Sequence, residues 1–129
     1  MRKQDRTRKG SAAMEFALLL PMVAILLFLL TEGSNAMHTY QAMVEASREG
    51  ARLVLMEGQE ANVDVLIQSL SKDLDPAHLQ TNVTTDPVGN TVTVEVSYDY
   101  QAIWSEDVVE LLSGSRTLQF TAGTTMPMP

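Results

Sequence analysis

The sequence predicts an α+β protein in which a long N-terminal helix, transmembrane in its first half, packs on a small head with one or two helices and an antiparallel sheet. Three observations predict it. Phe16 to Leu30 is an unbroken apolar run that includes Pro21, apolar residues at helical spacing continue from Ala36 to Val54, and TVTVEVSYDY (Thr91 to Tyr100) alternates apolar with polar residues.

A chain of 129 residues has room for one small domain once a membrane segment is subtracted. It contains no cysteine, which excludes disulfides, thiolate metal sites and thiol nucleophiles. The net charge of -7 is unevenly distributed: Arg2, Lys3, Arg6, Arg8 and Lys9 against Asp5 give residues 1–10 a charge of +4, which leaves -11 for the rest. An acidic body whose only cations are Arg48, Arg52, Lys72 and Arg116 is unsuited to phosphate contacts, so nucleic acid is excluded as a partner.

The basic end is a cytoplasmic leader, residues 1–10. Residues 11–31 follow as the transmembrane half of the helix: Ser11 to Thr31 spans about 31 Å at ~1.5 Å per residue, close to the hydrocarbon thickness of a bilayer. No Lys or Arg follows until Arg48, so the positive-inside bias places the N-terminus in the cytoplasm and the remainder outside. A secretory signal peptide would also join basic residues to an apolar run, and Ser34-Asn35-Ala36 is a loose cleavage match. That reading gives a secreted protein cut near Ala36. Against it, helical patterning continues through the supposed cut. Ala36, Tyr40, Met43, Ser47, Ala51 and Val54 recur every three or four residues, so residues 32–57 read as an amphipathic second half of the same helix, ended by Gly58. Tyr40, Met43, Ser47, Ala51, Val54 and Leu55 are expected on the head side. His38 reads as an exposed polar residue.

Glu15 interrupts this pattern. A carboxylate in a membrane helix is costly and is functional by default, although so near the cytoplasmic end it can also be an acid that snorkels into the headgroups. Pro21 lacks a backbone donor and crowds the carbonyl one turn earlier, which bends a helix near Ala17; a proline simply tolerated in the membrane is the other reading.

The order Lys9-Gly10-Ser11-Ala12-Ala13-Met14-Glu15-Phe16 resembles the processing site of type IV pilin-like proteins. With the long apolar run and ASREGAR at Ala46 to Arg52, the stretch from Gly10 to Arg52 resembles the TadE-like minor pilin (pseudopilin) family of tight-adherence pilus systems. Ser11 and Ala12 replace the Phe-Thr start of major type IV pilins, and small residues suit the tight-adherence branch. The resemblance implies a type IV pilin-like fold and cleavage by a prepilin peptidase between Gly10 and Ser11. It implies that Glu15, with Phe16 beside it, sets assembly register against a neighbour's new N-terminal amine, and that Pro21 is a helix kink. The implied partners are the prepilin peptidase, other pilin and pseudopilin subunits and an inner-membrane assembly platform. The implied location is the bacterial inner membrane, single-pass, and the implied role is assembly or priming of a pilus used for surface attachment. The alternative is an uncleaved signal-anchor protein whose periplasmic domain scaffolds envelope partners.

Residues 58–129 form the head. Val63, Leu66, Ile67, Leu70 and Leu74 have helical spacing within a helix from Ala61 to Asp73, ended by Asp75-Pro76. A strand over Thr81 to Thr85 and a turn at Asp86 to Asn90 lead into Thr91 to Tyr100, where Val92, Val94, Val96, Tyr98 and Tyr100 share a buried face. Ser105 caps a short helix through Val108, Val109, Leu111 and Leu112 to Gly114. Leu118, Phe120 and Ala122 mark a last strand, and Met126 to Pro129 reads as a loose tail. His78 has no companion histidine, and Asp73, Asp75 and Asp86 lack the spacing of a calcium loop. Asn82-Val83-Thr84 matches a glycosylation sequon by a pattern common by chance, and no nucleophile elbow, phosphate loop or zinc motif is present. The expectation is a non-enzyme with no catalytic residue, metal or cofactor.

Overall fold

A computed structural model describes residues 5–58, 62–102, 110–111, 114 and 117–129. Helix α1 (Asp5–Glu57) is followed by α2 (Val63–Leu70), a 3-10 turn (Pro76–His78) and strands β1 (Leu79–Asp86), β2 (Thr91–Tyr100) and β3 (Leu118–Pro127). The chain divides into two compact units, Met1–Ser34 and Asn35–Pro129. The fold is α+β, as the sequence predicts.

The first unit is helical. Pro21 lies inside α1, which continues through it although the Ala17 carbonyl has lost its helical N–H partner. Every residue from Gly10 to Thr31 is exposed, and at the end of the apolar run the Thr31 hydroxyl donates back to the carbonyls of Leu27 (2.9 Å) and Phe28 (2.8 Å). That polar group is thus satisfied without water, as an apolar solvent requires.

In the second unit α1 becomes two-faced. Thr39, Met43, Ala46, Ser47, Gly50, Ala51 and Val54 are buried, whereas His38, Gln41, Glu45, Arg48, Glu49, Arg52 and Met56 are exposed on the opposite side. The sheet has the order β1-β2-β3, antiparallel throughout, with Val94 between Val83 and Thr124 and Val96 between Thr81 and Ala122. Strand β2 is central, and its period of two puts Val92, Val94, Val96, Tyr98 and Tyr100 into the core while Glu95 is exposed and Thr91, Thr93, Ser97 and Asp99 remain partly exposed. On that outer face Thr93 and Thr125 hydroxyls lie 2.8 Å apart, and Gln119 donates to Asp99 at 3.2 Å. The tilted ring pair of Tyr100 and Phe120 (5.0 Å) closes one end of the core, where Asn35 Nδ2 donates to the Tyr100 hydroxyl at 3.2 Å.

Small residues let α1 approach the head closely. A Cβ on Gly50 would lie 3.1 Å from Val63 Cγ1, 3.2 Å from Val94 Cγ1 and 3.4 Å from Ile67 Cδ1, so this glycine is where α1, α2 and β2 meet. Three residues earlier, the buried Ser47 hydroxyl is 2.7 Å from Thr124 Oγ1 and 2.9 Å from the Val44 carbonyl oxygen. Gly58, at φ 89°, ends α1 with its N–H on the Val54 carbonyl (2.8 Å).

Several boundaries differ from expectation. Within the described residues α2 ends at Leu70 rather than Asp73, because Ser71 leaves the helical region (φ -103°, ψ 43°) and the Leu74 N–H turns back to Ser71 O at 2.9 Å. Leu74 is therefore buried from a turn, and Leu70 is exposed. Asp75-Pro76 starts the 3-10 turn instead of ending a helix, with Asp75 Oδ1 accepting from the Ala77 N–H at 2.9 Å. Strand β1 begins two residues earlier than Thr81, at Leu79. Tyr40 and Leu55 do lie on the head side as expected, but at its rim: the partly exposed Tyr40 ring is edge-on to Phe120 at 6.5 Å, and Leu55 is half-buried against the core. The expected loose tail is held: β3 runs to Pro127, the Met128 N–H donates to Asn90 O at 2.8 Å, and Asn90 Nδ2 donates to Met128 O at 2.8 Å. The expected short helix from Ser105 to Gly114 falls mostly outside the described residues.

Gly50→Leu should overpack the junction and destabilise the second unit by about 2 kcal/mol or more. Gly33→Leu, where a Cβ would meet nothing within 4 Å, should be nearly neutral. Amide exchange of the β2 strand, measured on the full chain in micelles, distinguishes the two.

Candidate processing and assembly site

The sequence-predicted site residues Gly10, Ser11, Glu15 and Phe16 lie on consecutive turns of α1, where its apolar segment begins. Ser11 and Glu15 stand one turn apart on the same side, and the Ser11 hydroxyl donates to Glu15 Oε1 at 3.2 Å. Among the described residues this is the only polar contact of the carboxylate, and it brings a hydroxyl rather than a cation. Around it are exposed apolar side chains: Met14, Phe16, Leu18 and Leu19.

Gly10 has no reason within the fold to be a glycine. A Cβ there would meet nothing within 4 Å, and glycine in a helix costs about 1 kcal/mol relative to alanine. Gly50, by contrast, is demanded by its neighbours. Among the described residues no contact calls for a glycine at Gly10, and none brings a cation to Glu15.

Cleavage after Gly10 would change the electrostatics of this end. It would remove the leader with its +4 charge and start the helix at Ser11, leaving a free α-amine and unpaired first-turn N–H groups. The result would be a concentrated positive end one turn from a carboxylate. Pro21 lies between this site and the rest of the apolar run.

Chemistry is sparse in the second unit. His78 Nε2 is 2.9 Å from Gln101 Nε2, and among the described residues no three His, Asp or Glu side chains gather as metal ligands. One open groove of about 310 Å³ is lined by Val54, Leu55, Thr85, Asn90 and Met128, and another of about 420 Å³ by Asp64, Gln68, Leu79, Gln80 and Thr81. The Ser11 hydroxyl is the site residue whose contact sequence reasoning missed, although its spacing of four from Glu15 on one helix was sufficient to find it.

The class defined by these features is a pilin-like layout: an apolar N-terminal helix suited to single-pass membrane anchoring, with a short helix and a three-stranded antiparallel sheet. Residues 10–52 match the family model of TadE-like proteins, a segment that starts at Gly10 and ends at Arg52. No curated protein and no solved structure matches the chain.

Proposed function

We propose that the chain is a processed, non-enzymatic minor pilin or pseudopilin that takes part in assembling or priming a tight-adherence pilus used for surface attachment. It inserts with its N-terminus in the cytoplasm and its head outside. A prepilin peptidase cuts between Gly10 and Ser11, and the assembly platform then brings the shortened chain against other pilin subunits. Glu15 of one subunit pairs with the Ser11 amine of its neighbour, Phe16 adds apolar contact, and Pro21 gives the membrane half a place to bend. The pair selects axial position more than it adds stability, because both charges lose solvation when they are buried together.

The observation that carries this reading is the coincidence at one helix end of a glycine without internal purpose and an uncompensated carboxylate, inside the TadE-like segment. The mature protein from its native host should begin at Ser11, and Gly10→Leu should make the longer form accumulate in the membrane. N-terminal sequencing reads both. Retention of Met1 in the presence of a competent peptidase would favour an uncleaved signal anchor.

Glu15→Ala should insert and be cut, since the apolar length, the basic leader and Gly10 are all intact. Its defect should come afterwards, as weaker docking to partner pilins by roughly 3–5 kcal/mol if the site is dry. Crosslinking to partner subunits measures that loss. Wild-type crosslinking and piliation by Glu15→Ala would reduce Glu15 to an interfacial acid.

A further inference from the structure

The exposed side of α1 carries a second charged feature that neither the processing site nor the head core uses. At 100° per residue Glu45, Arg48, Glu49 and Arg52 fall within one arc of about 100°, and all four are exposed, opposite the buried stripe of Met43, Ser47, Gly50 and Val54. No side-chain hydrogen bond or ion pair among the described residues engages any of the four. Within the chain like charges stand four residues apart (Glu45 with Glu49, Arg48 with Arg52), which is unfavourable, and opposite charges three apart (Glu45 with Arg48, Glu49 with Arg52), which is favourable, yet neither opposite pair closes to ion-pair distance.

The same order is complementary between two parallel copies. If one copy is displaced along the helix axis by three residues, about 4.5 Å, its Glu45 lies level with the neighbour's Arg48 and its Glu49 level with the neighbour's Arg52. We propose that the Glu45/Arg48/Glu49/Arg52 stripe is a self-complementary docking surface for a second copy of this chain. The placing of copies side by side rests on the pilin-like reading; the charge order itself does not.

The chain lacks cysteine, so Gln41→Cys on the exposed stripe gives a single thiol for bismaleimide crosslinking of copies in cells. In that background, Arg48→Glu/Arg52→Glu makes the stripe wholly acidic and Glu45→Arg/Glu49→Arg makes it wholly basic. Each double variant alone should lose at least fivefold in homodimer yield. Co-expression of the two, differently tagged, should restore the mixed dimer to near the wild-type level, a rescue that misfolding of either could not produce. Wild-type yields from each variant alone would overturn the proposal and leave a solvated face. Failure of the mixed pair to recover while both variants insert, or a thiol that crosslinks only to another pilin, would also overturn it. N-terminal sequencing of the same samples separates the two claims: an uncut chain with charge-dependent dimers contradicts the pilin reading alone, and a cut chain with charge-independent dimers contradicts only the stripe.

Discussion

One helix has to satisfy two solvents, and the rest of the structure follows from that constraint. From Met14 to Leu30 its large apolar side chains are exposed within the chain. Each is worth about 1.5–3 kcal/mol when removed from water, so together they require lipid or neighbouring helices. From Thr39 to Val54 the helix instead contributes a narrow stripe to a protein core and leaves its other side to water. The stripe is built of small residues, Ala46, Ser47, Gly50 and Ala51, which let a helix backbone lie close to Val94, Val63 and Ile67. The head is small, and that close approach lets the three strands and α2, the elements described there, form a core with α1.

The polar residues of α1 divide by whether the chain explains them. Thr31 satisfies itself on the helix backbone, Ser47 reaches Thr124, and Asn35 reaches Tyr100. Gly10, Glu15 and the charged stripe at residues 45–52 have no such account inside the molecule. All of them fall within the segment that matches the TadE-like family. In our proposal a peptidase meets Gly10, a neighbour's amine meets Glu15, and a second copy meets the stripe.

What the sequence revealed was governed by periodicity. Alternation in TVTVEVSYDY assigned every residue of β2 to its face, because a one-residue slip would move Val94 to the outer face. The continuation of apolar spacing beyond the membrane run identified one helix ending at Gly58. Boundaries fixed by contacts distant in sequence were not legible: the tail is held by Asn90, 38 residues before Met128, and the early start of β1 depends on Leu79 pairing with Tyr98. Tyr40 was placed on the correct side of α1 by the same periodicity, and its ring covers the rim of the core rather than entering it. The Ser11–Glu15 contact was within reach of the sequence because the two residues are one turn apart on one helix, where spacing alone determines neighbours.

The most direct test of the two-solvent helix is a single-cysteine scan from Phe16 to Val54 in native membranes, free of background because the chain has no cysteine of its own. A water-soluble, membrane-impermeant maleimide applied from the head side should fail to label positions from Phe16 to Phe28. Beyond Asn35 it should label His38, Gln41, Glu45, Arg48 and Arg52 strongly and Met43, Ala46, Gly50 and Val54 weakly. Efficient labelling at Leu20 or Leu26, or equal labelling of positions 43, 45, 46 and 48, would contradict a helix that passes from lipid into a protein core.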